Sequence, residues 1–261
     1  VRIFDQNSSC QRCRTVRTVN EDSVWIGATR HGYTLGIIAD GMGGHLAGDT
    51  ASRLALETMR NTLDDLPPDK AGGELSEALS SAIIAANRTV FIESSRDEKY
   101  HNMGTTVVAA LLNGAEGYIG HIGDSRAYLI KDSAAIQLTE DHTLVNELFK
   151  NGQISLEELG SHPRRNVLLR ALGTDAEVQA DVAPVSLAPG ELLLLCSDGL
   201  SNFVSQEHLG KVAGIHEIPL EERADRLLQL ALLAGGGDNI SVAMLEHQGE
   251  AAVPETKEWN R

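Results

Sequence analysis

The stretch Gly36–His45, GIIADGMGGH, limits what this chain can be more than any other. A short apolar run, Gly36 to Ala39, leads straight into Asp40, and Gly41, Met42, Gly43 and Gly44 follow. Such a run reads as a strand that ends in a carboxylate, beside backbone free to take unusual dihedrals and to approach a ligand closely. A single Asp-Gly after a strand is more often a turn than a site. Here the pattern recurs. The apolar run Leu192–Cys196 ends at Asp198-Gly199, Ala115–Ile122 ends at Gly123-Asp124, Asp238 precedes Ile240–Leu245, and Asp22 precedes Ser23–Ala28.

The pattern between these points predicts an alternation of strands and helices. Ser23–Ala28 and Tyr33–Ala39 read as neighbouring strands whose pairing would bring Asp22 close to Asp40. Leu46, Ala51, Leu54, Ala55, Met59 and Leu63 recur at helical spacing until Pro67-Pro68 stop them. Leu75, Ala78, Leu79, Ile83, Ala86 and Val90 place a second helix over 74–93, so the two are expected to form an antiparallel pair over a sheet. Strands are predicted at Thr105–Leu112, Ala115–Ile122, Ser125–Ile130, Val178–Val185, Glu191–Ser197 and Ile240–Leu245. Taken alone, Gly123–Arg126 reads as a hairpin turn. Further helices are predicted at Leu144–Lys150, Ser205–Val212 and Leu220–Ala234. Gln137–Gly173 reads as a surface excursion able to cover a site, with His142 in a structural role. No composition shift marks a linker, which favours a single domain over 1–247 with an excursion near 145–170, and 248–261 as a mobile tail.

Charge and composition narrow the function classes. The formal net charge is −15, from 37 acidic and 22 basic residues, and no basic run is longer than Arg164-Arg165. A nucleic-acid or anionic-membrane partner is therefore not expected. No apolar run approaches the roughly 18 residues of a membrane span, and no signal-like pattern stands at the N-terminus, so a cytosolic location without membrane insertion is expected. Cys10, Cys13 and Cys196 are too few for a disulfide framework, and Cys10–Cys13 is half a zinc ribbon without its second pair.

Asp22, Asp40, Asp198 and Asp238 are thus candidates for one constellation. Carboxylates without Cys or His suit Mg²⁺ or Mn²⁺. Two such ions about 3.5–4 Å apart activate a water between them and clamp the oxygens of an in-line displacement at phosphorus. Arg17 is the arginine best placed by sequence to bind phosphoryl oxygens through forked hydrogen bonds.

Eight fragments in order, VRTVNED, ADGMGGH, MGTT, GDSR, LTEDHT, NVLLRALG, CSDGL and GGGDNIS, resemble the metal-dependent protein phosphatases of type 2C, which act on phosphoserine and phosphothreonine. The DGMGGH form is similar to the bacterial branch. The resemblance implies an α+β fold, a four-layer α-β-β-α sandwich of two antiparallel-rich sheets flanked by helix pairs, with metals in a cleft at one end. It implies that Asp40 bridges two ions, that the Gly41 carbonyl binds one, and that Asp22 acts mainly through bound water. Asp198 and Asp238 would complete the other shell, Glu21 would orient metal-bound waters, and Asp124 with Asp198 would form a third-metal position. Ser125 and Arg126 would fix their turn, and Gln153–Arg165 would be the family's flap. Animal members carry a histidine where this chain has Met42, so the general acid is either His45 or a metal-bound water. By the same resemblance the partners are phosphorylated proteins, a cognate serine/threonine kinase among them, and the chain acts as a monomer without a phosphoenzyme. A binding module that has lost catalysis and a structural sandwich whose Asp-Gly pairs are turns are the competing readings.

Overall fold

The computed structural model describes residues 19–44 and 46–248. Its first elements are β1 (Asp22–Ala28), β2 (Thr34–Met42), α1 (Leu46–Asp64) and α2 (Gly73–Ser94). Then come β3 (Gly104–Thr105), β4 (Val107–Asn113), β5 (Glu116–Ile122), β6 (Arg126–Lys131) and β7 (Ala134–Gln137). The excursion carries α3 (Leu144–Lys150) and α4 (Leu156–Leu159). The chain continues through β8 (Asp181–Ser186), β9 (Leu192–Cys196), α5 (Asp198–Ser201), α6 (Gln206–Ala213), α7 (Leu220–Leu233) and β10 (Val242–Glu246).

Two antiparallel sheets result. One runs β1-β2-β4-β5-β8 with β3 added to β2, and the other runs β10-β9-β6-β7. The period of two along each strand sends alternate side chains into different cores. In β9, Leu192, Leu194 and Cys196 face α6 and α7, whereas Leu193 and Leu195 meet Ile38, Val108 and Ala110 of the first sheet. Both faces of that strand are covered, which is why its sequence shows no polar alternation. In β2, Leu35 and Ile37 face the other way, onto Ala51, Ala55, Met59, Leu79 and Ile83 of α1 and α2. Three apolar layers therefore separate four structural layers, the sandwich that the resemblance implies.

Most of the predicted elements appear with ends shifted by a residue or two, and the larger differences have local causes. Gly123–Arg126 is not a hairpin turn, because β5 and β6 belong to different sheets. Gly123, at φ +104°, lets the chain cross from one sheet to the other. The expected strand Thr105–Leu112 is broken at Thr106, where β2 changes partner from β4 to β3. The unexpected β7 pairs with β6 across Asp132 and Ser133, both at positive φ, a tight two-residue connection whose Asp-Ser sequence is a poor hairpin signal. Within the excursion, the returning limb makes two isolated bridges, Thr143 to Leu168 and Thr105 to Leu172. The tail beyond His247 lies outside the described residues from 249 onward, and no helix among those described is long and apolar enough to cross a membrane.

Candidate metal centre

The carboxylates meet where the two sheets end together. β1 and β2 are antiparallel with Asp22 directly opposite Asp40, so the two side chains share a sheet face, a placement that destabilises a like-charged pair left to itself. The sheet crossing at Gly123 brings in Asp124, and Asp198 opens α5 where β9 ends. Asp238 arrives on the loop after α7, and its neighbour Asn239 docks that loop by accepting from the Glu21 amide at 2.9 Å. A cleft of roughly 730 Å³ is lined by Glu21, Asp40, Gly41, Asp124, Asp198 and Asp238, together with Val19, Met42, Gly43, Gly44, Thr106, Asn166 and Leu168.

Asp22 sits lower than its neighbours. It is buried beneath the cleft and accepts from the Ser197 hydroxyl at 2.9 Å. Gly41 explains how the floor is built. A Cβ there would lie 2.1 Å from the Gly48 carbonyl oxygen in the first turns of α1 and 2.6 Å from that of Glu21. Only glycine lets helix and strand close together at that point, with the Gly41 amide donating to the Glu21 carbonyl.

The electrostatics are those of an acid cluster held together against repulsion. Burial, then the charges of Asp22, Asp198, Asp124 and Asp238, push the Asp40 carboxyl well above the usual carboxylate range. Burial raises Asp22 to about 7, the neighbouring Ser241 hydroxyl and the hydrogen bond from Ser197 work against it, and Asp198 and Asp238 add to the rise. Burial, Asp198 and Asp141 likewise lift Asp124 to about 7. A set of hard oxygen donors that repel one another at neutral pH fits Mn²⁺ or Mg²⁺, whose charge reverses that balance.

A second cluster invites the same reading and does not support it. His121, His142 and Asp181 each bring a ligand atom to within 4.8 Å of the others. Both ring nitrogens of His142, both oxygens of Asp181 and Nε2 of His121 are committed to protein partners, however. His142 Nδ1 accepts from the Gly123 amide at 3.1 Å, so its proton is on Nε2, which donates to Asp181 at 3.1 Å. His121 Nε2 bonds the Glu140 carbonyl at 2.8 Å, and Arg170 holds Asp181 at 2.9 Å. This is a hydrogen-bonded truss, with a guanidinium already supplying its cation.

Arg17, His45 and the Cys10–Cys13 pair lie outside the described residues. Several residues bearing on the cleft lie inside the fragments that carry the resemblance, but neither their spacing nor the resemblance as read from the sequence gives them a role there. Asn239 and Thr106 act through bonds to chain segments far away in sequence, and Asn166 and Leu168 line the cleft from the returning limb of the excursion.

The chain matches the Protein phosphatase 2C family over residues 11–232. It is 37% identical over 231 residues to the serine/threonine phosphatase stp of Listeria monocytogenes, covering 88% of this chain and 91% of that one. The Mycobacterium tuberculosis serine/threonine phosphatase PstP/Ppp superposes with a TM-score of 0.81 at 40% identity, over 92% of this chain and 97% of that one. The catalytic domain of PstP in complex with two manganese ions superposes with a TM-score of 0.78 at 38% identity, over 90% and 95% of the respective chains. This chain belongs to the protein phosphatase 2C family, as a serine/threonine phosphatase.

Proposed function

We propose that the cleft hydrolyses phosphoserine and phosphothreonine in protein substrates by direct attack of water in line with the leaving oxygen, without a phosphoenzyme. The observation that carries this reading is the convergence of Asp40, Asp124, Asp198 and Asp238 on one cleft from four separate parts of the chain. In it, Asp40, the Gly41 carbonyl, Asp198 and Asp238 hold two divalent ions, Mn²⁺ or Mg²⁺, Asp22 acts from beneath through water, and Asp124 serves a third position. When bound, such ions supply Lewis acidity toward water and toward the phosphoryl oxygens. The manganese complex of PstP supports that cofactor assignment.

The chain's own groups do the rest. Glu21 lines the cleft and orients water within it. Among the described lining residues there is no Cys, Ser or His to serve as a nucleophile, and the Thr106 hydroxyl is already engaged by the Asp40 amide and Ser125. Arg17 binds the phosphoryl oxygens, and the proton for the leaving oxygen comes from His45 or from water. Substrates are phosphorylated proteins, including the cognate serine/threonine kinase, met by a monomer in the cytosol. The strong negative charge of the chain argues against nucleic acid.

Phosphate release from a phosphothreonine peptide, measured with Mn²⁺ and again with excess chelator, tests the reading. Release that depends on Mn²⁺ is expected. Equal rates in the two conditions overturn it.

A further inference from the structure

Thr106 stands between Asp40, in β2 of the first sheet, and Asp124, on the crossing from β5 to β6 of the second. Its backbone amide donates to the Asp40 carbonyl at 2.9 Å, and its Oγ1 accepts from the Asp40 amide at 3.1 Å. The two residues therefore grip each other at the point where β2 changes partner. On its other side the same hydroxyl lies 2.7 Å from the Ser125 hydroxyl, a fully buried contact one residue from Asp124.

The turn that carries Asp124 is packed on this threonine as well as bonded to it. A Cβ on Gly123 would lie 2.6 Å from Thr106 Cγ2, so the glycine lets the turn close onto the threonine methyl. His142 holds the far side of the turn, donating its amide to the Gly123 carbonyl at 2.9 Å while accepting from the Gly123 amide. The turn is thus pinned from outside by a histidine and tied inward by one hydroxyl.

We propose that Thr106 is a positioning residue for the metal centre, its hydroxyl setting the spacing between Asp40 and Asp124. This rests on the reading of the cleft as a divalent-metal site. Removing a partner of this kind, one step away from metal ligands, typically weakens metal binding about 10- to 100-fold. The hydroxyl and the methyl of Thr106 have separable duties: the hydroxyl joins the two aspartate-bearing segments, and the methyl fills the space beneath Gly123.

Three variants separate them, each compared with wild type by calorimetric titration of metal-depleted protein with Mn²⁺ and by the Mn²⁺ concentration giving half-maximal phosphopeptide hydrolysis. Thr106→Val keeps the shape and removes the hydroxyl, and is expected to weaken Mn²⁺ binding about tenfold or more. Thr106→Ser keeps the hydroxyl and is expected to stay within about threefold of wild type. Ser125→Ala leaves the Asp40–Thr106 pair intact and is expected to weaken Mn²⁺ binding about threefold, within the range of one net hydrogen bond. Normal Mn²⁺ binding by Thr106→Val overturns the proposal. So does a Thr106→Ser protein as impaired as Thr106→Val, because the methyl would then be the part that matters. If Thr106→Val does not fold, Ser125→Ala decides, and wild-type Mn²⁺ affinity in it overturns the proposal. The wild-type arm separates the two levels. A wild type that binds no Mn²⁺ removes the metal-centre reading and this one with it, whereas a wild type that binds and hydrolyses alongside unaffected variants removes only the role of Thr106.

Discussion

The carboxylate cleft and the histidine truss are both groups of metal-ligating side chains, and their difference shows what makes a ligand set a site. In the truss every residue has found a partner: His142 spans Gly123 and Asp181, His121 reaches Glu140, and Arg170 neutralises Asp181. Partial burial pushes Asp181 up, but hydrogen bonds from Arg170 and His142 outweigh it and hold the carboxyl down at about 2. In the cleft the acids are gathered against one another, and burial and mutual repulsion drive Asp22, Asp40 and Asp124 upward. One cluster is stabilised by the protein itself. The other is a strained arrangement that a divalent cation would relieve, and that contrast can be broken by substitution.

The largest effect is expected at Asp40. Asp40→Asn keeps the shape and removes the charge that two neighbouring ions would share. It should cut phosphopeptide hydrolysis at least about a thousandfold, equivalent to about 4 kcal/mol of transition-state stabilisation, and abolish the rise in melting temperature on adding Mn²⁺. Asp181→Asn is the matched change in the truss. It retains an acceptor for His142 and should leave Mn²⁺-dependent hydrolysis within about twofold of wild type. A kept thermal shift in Asp40→Asn with a lost one in Asp181→Asn would exchange the roles of the two clusters.

What could be read in the sequence divides along the same line. Aspartates at the ends of apolar runs are visible because the strand period and the glycine-rich turn both leave a local pattern, and the two neighbouring apolar runs are enough to expect Asp22 close to Asp40, whereas the direct register between them comes from the structure. The helix over Leu144–Lys150 is legible from its own local pattern, and the structure shows Thr143 to be its cap. Crossing from one sheet to another leaves no such mark, so Gly123–Arg126 reads as a hairpin, although the crossing is what brings Asp124 to the cleft. The partners of the truss are also remote in sequence: His142 meets Asp181 39 positions away, and neither spacing nor composition joins them. Glu21 and Asn239 are 218 positions apart and meet through one amide. Local periodicity reports elements. It does not report which elements share an end.

The next effect concerns the truss and has a definite sign. Burial, then His121 and Arg170, pull His142 down to about 4, while Asp181 opposes the shift through its hydrogen bond. Protonating Nδ1 would also break the bond from the Gly123 amide. The ordinary value is 6.5, so the unfolded chain takes up the proton first as pH falls. The contribution of neutral His142 is therefore complete above about 6.5 and is lost as pH falls toward about 4. His142→Gln keeps an acceptor for Gly123 and removes the titration. Urea unfolding of metal-depleted wild type and variant, compared at pH 7 and pH 5, should show the stability difference shrinking by about 2 kcal/mol. Taking the difference cancels the opposite trend from Asp22, Asp40 and Asp124, and leaves the charges facing His142, namely His121, Arg170, Asp181 and Glu140, in place in both proteins. A difference that does not change with pH would mean that His142 keeps an ordinary pKa, and the truss would lose its claim to be internally balanced.

The smallest effect tests whether burial, rather than mere contact with an aspartate proposed to hold metal, decides how much a supporting hydrogen bond matters. Asn202 lies one turn after Asp198 in the exposed rim, and its side-chain amide donates to Asp198 Oδ2 at 3.1 Å. Water replaces that donor readily, so the bond is worth about 0.5–1.5 kcal/mol net, at the lower end for an exposed group. Thr106 bonds Asp40 from a buried position, where water cannot take its place. Asn202→Ala should therefore raise the Mn²⁺ concentration for half-maximal hydrolysis about threefold or less, well below the shift expected for Thr106→Val. Equal shifts in the two variants would mean that proximity to a ligand is sufficient by itself, and that the enclosed bonds beneath the cleft hold its geometry no more firmly than those open to solvent.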